Sequence, residues 1–180
     1  IDRARDLVLS ESKLFNESIV LCSFGDASAN HATALSAFNT ACWVSSQGGH
    51  VPIVFICEDN GTGISVPTDG KWIENNFSNK YGMKYLKADG LHLIDLIVKA
   101  KEAEKICRLN RIPVFLHMET VRLMGHAGSD VEVGYRNIKE IEKDEANDPL
   151  IHSARIIIEN NCLTNEEVVS LYEQKRAQVG

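Results

Sequence analysis

Residues 18–31 read SIVLCSFGDASANH. The apolar run at 19–24 (IVLCSF) stops abruptly at Gly25-Asp26, and small and polar residues and His31 follow. Near-continuous hydrophobicity over six residues predicts a strand covered on both faces, as in a parallel sheet. Glycine and aspartate suit a turn. A turn does not require the polar cluster behind them, so the end of this strand is a place to look for chemistry.

Working outward, two more apolar runs have the same character, at 51–57 (VPIVFIC) and 113–121 (PVFLHMETV). Between the first two lies NHATALSAFNTACWVSS (30–46), long enough for a helix and small or apolar on nearly every side. It is expected to be buried, with another subunit as one candidate cover. Residues 91–109 show helical periodicity, with Leu93, Ile94, Ile97, Val98 and Ile106 on one stripe, and MKYLKA (83–88) before them reads as extended. Strands alternating with helices predict an α/β fold with a parallel sheet flanked by helices. After residue 136 the pattern is helical only. Asp148-Pro149 has the form of an N-cap followed by proline at the first helical position. Thr164 and Glu167 have capping-box spacing. We therefore expect an α/β domain over 1–136 with a helical C-terminal extension over 137–180.

Composition narrows the function. The 180 residues are 44% hydrophobic and 24% charged, ordinary for a globular protein. A net charge of −6 with no basic patch argues against a nucleic-acid partner. No apolar run approaches the ~18 residues of a membrane span, and no secretory signal is visible, so no membrane partner is expected. Five cysteines (Cys22, Cys42, Cys57, Cys107, Cys162) form no C-x-x-C pair; neither disulfides nor zinc are expected, which fits a reducing compartment. The chain opens on Ile1, and we expect it to be part of a longer polypeptide.

In open parallel sheets, ligands bind beyond the carboxyl ends of the strands. The three strand ends here carry Gly25-Asp26-Ala27-Ser28, then EDNGTGIS (58–65), then RLMGHAGSD (122–130). Carboxylate and amide oxygens suit a hard cation such as Mg²⁺, which shares its shell with phosphate oxygens. A small-residue turn opening a helix offers N–H groups to an anion, and Arg122 can clamp a phosphate. A metal-bridged diphosphate satisfies all three loops.

The joint text GDASANHATALSAFNTA, PIVFICEDNGTGIS and VRLMGHAGSDVEVGYR resembles the alpha-type part of thiamine diphosphate-dependent 2-oxo acid dehydrogenases, first component. The resemblance runs from about Ile19 through Asp89-Gly90 into the helical tail. It implies the thiamine diphosphate-binding fold, with thiamine diphosphate and Mg²⁺ as cofactors held by the 1–136 domain. It assigns Asp26, Asn60 and the Thr62 carbonyl to the metal. It assigns Gly25, Ala27, Ser28, Gly63, Ile64 and Arg122 to the cofactor, and His126 to cofactor contact and catalysis. The implied activity is oxidative decarboxylation of a 2-oxo acid with acyl transfer to a lipoyl group. Branched-chain acids such as 2-oxoisovalerate are favoured, with pyruvate or acetoin as the alternative. The activating glutamate has no local candidate, so a beta-type subunit or domain is implied to supply it, in a dimer or α2β2-type assembly with a lipoyl-bearing acyltransferase. Localisation is implied to be cytoplasmic, or the mitochondrial matrix in a eukaryote.

The sequence departs from the family pattern at three places. Ala27 stands where glycine is usual, Asp59 where the first asparagine is usual, and SSQGGHVP (45–52) looks inserted. Asp59 is expected to face away from a diphosphate or pair with a cation, and the insertion is expected to lie at the opposite strand ends. Ala127 occupies the position of a regulatory serine and cannot be phosphorylated, which leans toward a bacterial enzyme; Ser129 is a weaker candidate.

Taken singly, these residues have plainer readings. Gly25-Asp26 and Asn60-Gly61 are turn chemistry. His31 either touches a ligand or caps a helix. His117, alternating within a strand, reads as structural, and His50, His92 and His152 carry no signal. Arg136 either anchors the His126 loop or sits at a helix start. An aspartate after a first strand also suits a phospho-accepting receiver module, although its acidic pair and later lysine are not evident. A degenerate structural subunit is disfavoured by Asp26, Asn60, Arg122 and His126 standing together.

Overall fold

The apolar runs become strands where the sequence places them. The structure, a computed structural model, describes residues 18–179. Along the chain, β1 (Val20–Gly25) leads through a short 3-10 turn (Ala27–Asn30) into α1 (Ala32–Ser46) and β2 (Ile53–Asp59). A small hairpin, β3 (Thr62–Gly63) with β4 (Val66–Pro67), and the short helix α2 (Trp72–Phe77) precede β5 (Lys84–Asp89). Helix α3 (Leu93–Asn110) then crosses to β6 (Val114–Glu119). After a second 3-10 turn (Glu132–Gly134), only helices follow: α4 (Ile138–Ala146), α5 (Pro149–Glu159) and α6 (Asn165–Val179).

The main sheet has four strands in the order β1-β2-β6-β5, and every pairing is parallel. This is the expected α/β class. Because side chains alternate along a strand, β2 and β6 feed two cores. Phe55, Cys57 and Phe115 face Phe38 and Ala41 of α1 and Ile73 and Phe77 of α2. Val54, Val114 and Leu116 face Ala103 and Cys107 of α3. An aromatic cluster sets the first core: Phe115 stacks on Phe77 at 4.4 Å and meets Phe38 edge-on at 5.8 Å. The anticipated helix caps form as well. Asp148 accepts from the Leu150 N–H, and Thr164 and Glu167 exchange both capping-box bonds.

Two burial expectations are corrected, for β1 and for α1. Strand β1 is an edge strand, so Val20 and Leu21 are exposed and only its end reaches the aromatic core through Phe24. Helix α1 buries Phe38, Ala41 and Cys42, while Leu35, Trp43 and Val44 stay exposed because only one layer packs on it. On α3 the residues of the stripe at its amino-terminal half, Leu93, Ile94, Ile97 and Val98, are exposed. The smaller Ala103 and Cys107 make the close approach to the sheet instead. A groove of about 960 Å³ therefore remains beside β1, lined by apolar groups such as Leu21, Ile56, Ile97 and Leu116.

All five cysteines are free thiols, with Cys42, Cys57 and Cys107 buried. Burial pushes the Cys107 thiol up to about 11, which suits a small packing residue rather than a nucleophile. Among the described residues no helix is long and apolar enough to cross a membrane.

Phe115 is fully buried at the meeting point of β6, α1 and α2. Phe115→Ala is expected to destabilise the fold by about 3–5 kcal/mol through lost burial and the cavity left behind. Chemical denaturation measures this as a lower midpoint at unchanged slope.

Candidate functional site

Parallel register brings the last residues of the strands to one edge: Gly25 pairs with Glu58, and Asp59 with Glu119. The segment 45–52 lies at the other edge, before β2 begins, as expected of an insertion that leaves the site alone. At the carboxyl edge a cleft of about 680 Å³ opens between the three loops. The ten residues that the resemblance assigns to cofactor, metal or catalysis all line it. Gly25, Asp26, Ala27 and Ser28 come from the first loop, Asn60, Thr62, Gly63 and Ile64 from the second, and Arg122 and His126 from the third. His31 is there too.

The first wall is built on Asp26, only 3% exposed although it ends a strand. Its Oδ2 accepts a hydrogen bond from the Thr68 hydroxyl. The expected helix start is corrected in detail: residues 27–30 form a 3-10 turn, and α1 begins only at Ala32. The N–H groups of Ala27 and Ser28 have no acceptor among the described residues. His31 caps α1, its Nδ1 accepting from the Thr33 N–H at 3.3 Å. The capping reading of His31 is the one the structure shows, and the residue also lines the cleft.

The second wall is a pair of turns. Asp59 Oδ1 accepts from Gly61 N at 3.0 Å, and Asn60 Oδ1 accepts from Thr62 N at 3.1 Å. Gly61 sits at φ +72°, where a side chain is strained. Gly63 is needed for a different reason: a Cβ there would lie 2.7 Å from the Ala27 Cβ. Ala27 thus presses directly on the β3 strand. Asp59 turns inward, as expected, and its Oδ2 meets His117 Nε2 at 2.8 Å. His117 is fully buried, and its Nδ1 lies 2.6 Å from the Tyr85 hydroxyl. Burial raises the Asp59 carboxyl, but the His117 and Gly61 hydrogen bonds outweigh it and hold the group below its ordinary value.

The third wall is an ionic network. Arg122 donates to the Ile64 carbonyl at 2.6 Å and to the Tyr135 hydroxyl at 2.8 Å. Its Nε is buried with no partner. Tyr135 in turn donates to Asp130 Oδ2, which also accepts from the His126 N–H, both at 2.7 Å. His126 itself is exposed at the cleft mouth. Arg136 stands one step back: it pairs with Glu132 at 3.0 Å and with Asp144, while Glu132 lies 3.7 Å from Arg122. It fastens α4 to this network rather than touching the His126 loop.

The profile of the dehydrogenase E1 component family matches residues 4–180. The chain belongs to that family. It is 28% identical over 165 residues to the mitochondrial pyruvate dehydrogenase E1 component subunit alpha of Dictyostelium discoideum, covering 90% of this chain and 42% of that protein. It is 29% identical over 168 residues to the mitochondrial 2-oxoisovalerate dehydrogenase subunit alpha of Caenorhabditis elegans, covering 91% and 38%. A bacterial relative, the pyruvate dehydrogenase E1 component subunit alpha of Rickettsia felis, is 28% identical over 167 residues, covering 90% and 49%. The chain thus spans less than half the length of these curated relatives. Family membership sets aside the receiver-module reading.

The anchors of this E1 site were less legible than its cleft residues. Thr68 lies in a loop with no motif of its own, and Tyr135 carries no signal beside Arg136 in the sequence. The one usable signal was Asp130, a carboxylate four residues after His126 and able to close a loop on its N–H. Hydrogen bonds from the His126 N–H and the Tyr135 hydroxyl hold the Asp130 carboxyl below its ordinary value. A depressed carboxylate stabilises its loop above the unfolded value, near pH ~4, and loses that contribution as pH falls through the lowered one. Protection of the His126 amide, its exchange rate relative to an unstructured peptide at the same pH, should therefore be high above pH ~4 and fall below it. In Asp130→Asn the acid-dependent step should disappear.

Proposed function

We propose that this chain is the diphosphate-holding, alpha-type part of a thiamine diphosphate-dependent 2-oxo acid dehydrogenase. The single observation that supports this most is the convergence of the ten residues the resemblance assigns, from three separate loops, on one cleft. The donor set fits the group. Asp26 and Asn60 offer hard oxygens, and the Thr62 carbonyl would complete the protein's share of an Mg²⁺ shell. Among the described residues no cluster of three or more His, Cys, Asp or Glu side chains could hold a metal alone. That is the condition under which Mg²⁺ relies on phosphate and water oxygens. The N–H groups of Ala27 and Ser28 and the Nε of Arg122, none with an acceptor among the described residues, supply donors for the anion.

When bound, thiamine diphosphate supplies the carbanion and electron sink for decarboxylation. The residues of this chain bind and orient it. Gly25, Gly63 and Ile64 shape the wall, and Arg122 holds the phosphate side while fastening the Ile64 loop. His126 stabilises charge or carries a proton at the cleft mouth during acyl transfer to a lipoyl arm. A beta-type partner supplies the activating glutamate in a dimeric or α2β2-type assembly, and a lipoyl-bearing acyltransferase accepts the product. Relatives named for pyruvate and for 2-oxoisovalerate match at the same level. The substrate proposed is therefore the 2-oxo acid class, with branched-chain acids placed first on the loop text. The compartment is the cytoplasm, or the mitochondrial matrix if the source is eukaryotic.

The test uses the full-length protein with its partner, Mg²⁺ and thiamine diphosphate, assayed on a 2-oxo acid panel with an artificial electron acceptor. Asp26→Ala should weaken cofactor binding by roughly 100-fold and abolish turnover, at least the loss seen for shells further from a metal. Undiminished turnover in that variant removes the metal assignment.

A further inference from the structure

The proposed function leaves a fully buried histidine without a role. His117 lies at 0% exposure in β6 and does not reach the cleft, yet it hydrogen-bonds on both sides. Asp59 Oδ2 and the Tyr85 hydroxyl are its partners. With Asp59 as carboxylate, Nε2–H donates to Oδ2 and Nδ1 accepts from the tyrosine, which assigns the tautomer.

From there the path continues outward. Asp59 Oδ1 accepts from the Gly61 N–H at 3.0 Å. The Gly61 carbonyl accepts from the Thr68 N–H at 2.9 Å. The Thr68 hydroxyl donates to Asp26 Oδ2. The His117 bond is thus the buried end of a continuous chain of hydrogen bonds that passes behind the Asn60 turn and ends on Asp26.

We infer that His117 is a positioning residue: through Asp59 it fixes the turn that sets Asn60 and Thr62 opposite Asp26. This rests on the functional reading above for what the turn binds. The physical reason lies in Asp59. Without a donor on Oδ2, its carboxylate is left buried and short of a partner, a costly state. It then swings toward water and releases the Gly61 N–H, and Gly61, Asn60 and Thr68 lose their common anchor.

A matched pair of variants separates positioning from packing. In His117→Gln the amide nitrogen takes the place of Nε2 and keeps the Asp59 bond. In His117→Asn the amide takes the place of Nδ1 and keeps only the Tyr85 side. Tyr85→Phe cuts the far end and leaves the Asp59 bond intact.

Two measurements are made on the full-length protein with its partner: calorimetric affinity for thiamine diphosphate with Mg²⁺, and amide exchange at residues 60–68 with no ligand added. His117→Asn should weaken affinity about tenfold or more, in the range of residues that orient metal ligands, and speed exchange at Gly61 and Thr68. His117→Gln and Tyr85→Phe should stay within about threefold of wild type in affinity, even where thermal stability drops. Equal affinity and equal exchange in the Gln and Asn variants overturn the inference. The exchange arm does not depend on the cofactor. Wild-type protein that fails to bind the cofactor at all, with exchange still split between the variants, overturns the functional reading and leaves the anchoring of the turn standing.

Discussion

Everything at the carboxyl edge depends on one constraint, the parallel pairing of β1 and β6 on either side of β2. Parallel strands require a crossover to return the chain to the same starting edge. Loops that leave strand ends therefore share one edge, and loops that enter strands share the other. With Gly25 opposite Glu58 and Asp59 opposite Glu119, three loops far apart in sequence have no choice but to meet. A shift of one residue would exchange the two faces of β2. Phe55 and Cys57 would leave the aromatic core, and Asp59 would no longer point at His117. The apolar core thus sets the register, and the register sets the site.

The site's rigidity comes from two networks with different physics. The inner one, Tyr85 to His117 to Asp59, is short and centres on the fully buried His117. Such a group is not retained for stability alone, since an apolar replacement often does as well. The outer one runs from Arg122 through Tyr135 to Asp130, with Glu132, Arg136 and Asp144 behind it. It is partly exposed, so its ion pairs add little stability singly. Their value lies in geometry. Ile64 is held at φ +58°, a strained conformation for a β-branched residue, and its carbonyl is the one Arg122 grips. The same guanidinium that holds this strained wall in place keeps one donor unspent.

The sequence made strand ends and loop chemistry legible because both are local: an apolar run stops, and polar residues begin. It also placed the caps at Asp148 and Thr164, where one side chain meets a backbone group two or three residues on. What it could not carry was coverage. The apolar content of β1 and α1 reads as buried, but periodicity records only that a face is apolar, not what lies on it. Strand order decides that, and β1 falls at an edge. Long-range polar partners were equally silent. Nothing in the text of Thr68 announces Asp26, and nothing in His117 announces an aspartate 58 positions earlier.

The contrast between Asp26 and Asp59 shows how environment divides labour between like groups. Both lie at the ends of adjacent strands, and both are nearly inaccessible, at 3% and 9% exposure. Asp59 follows a β2 residue in the aromatic layer by two positions and so faces the same layer, where His117 Nε2 meets its Oδ2 at 2.8 Å. Its charge is consumed internally. Asp26 follows Gly25 into a turn and faces the hairpin, where its partner is a neutral hydroxyl. A hydroxyl satisfies one lone pair and cancels no charge. Among the described residues that hydroxyl is the hydrogen-bond partner the structure gives the Asp26 side chain. An asparagine at position 59 would carry no charge to dispose of. Aspartate there requires an interior donor, and His117 supplies it at 2.8 Å, so the Asp59 charge is answered inside the fold rather than at the cleft.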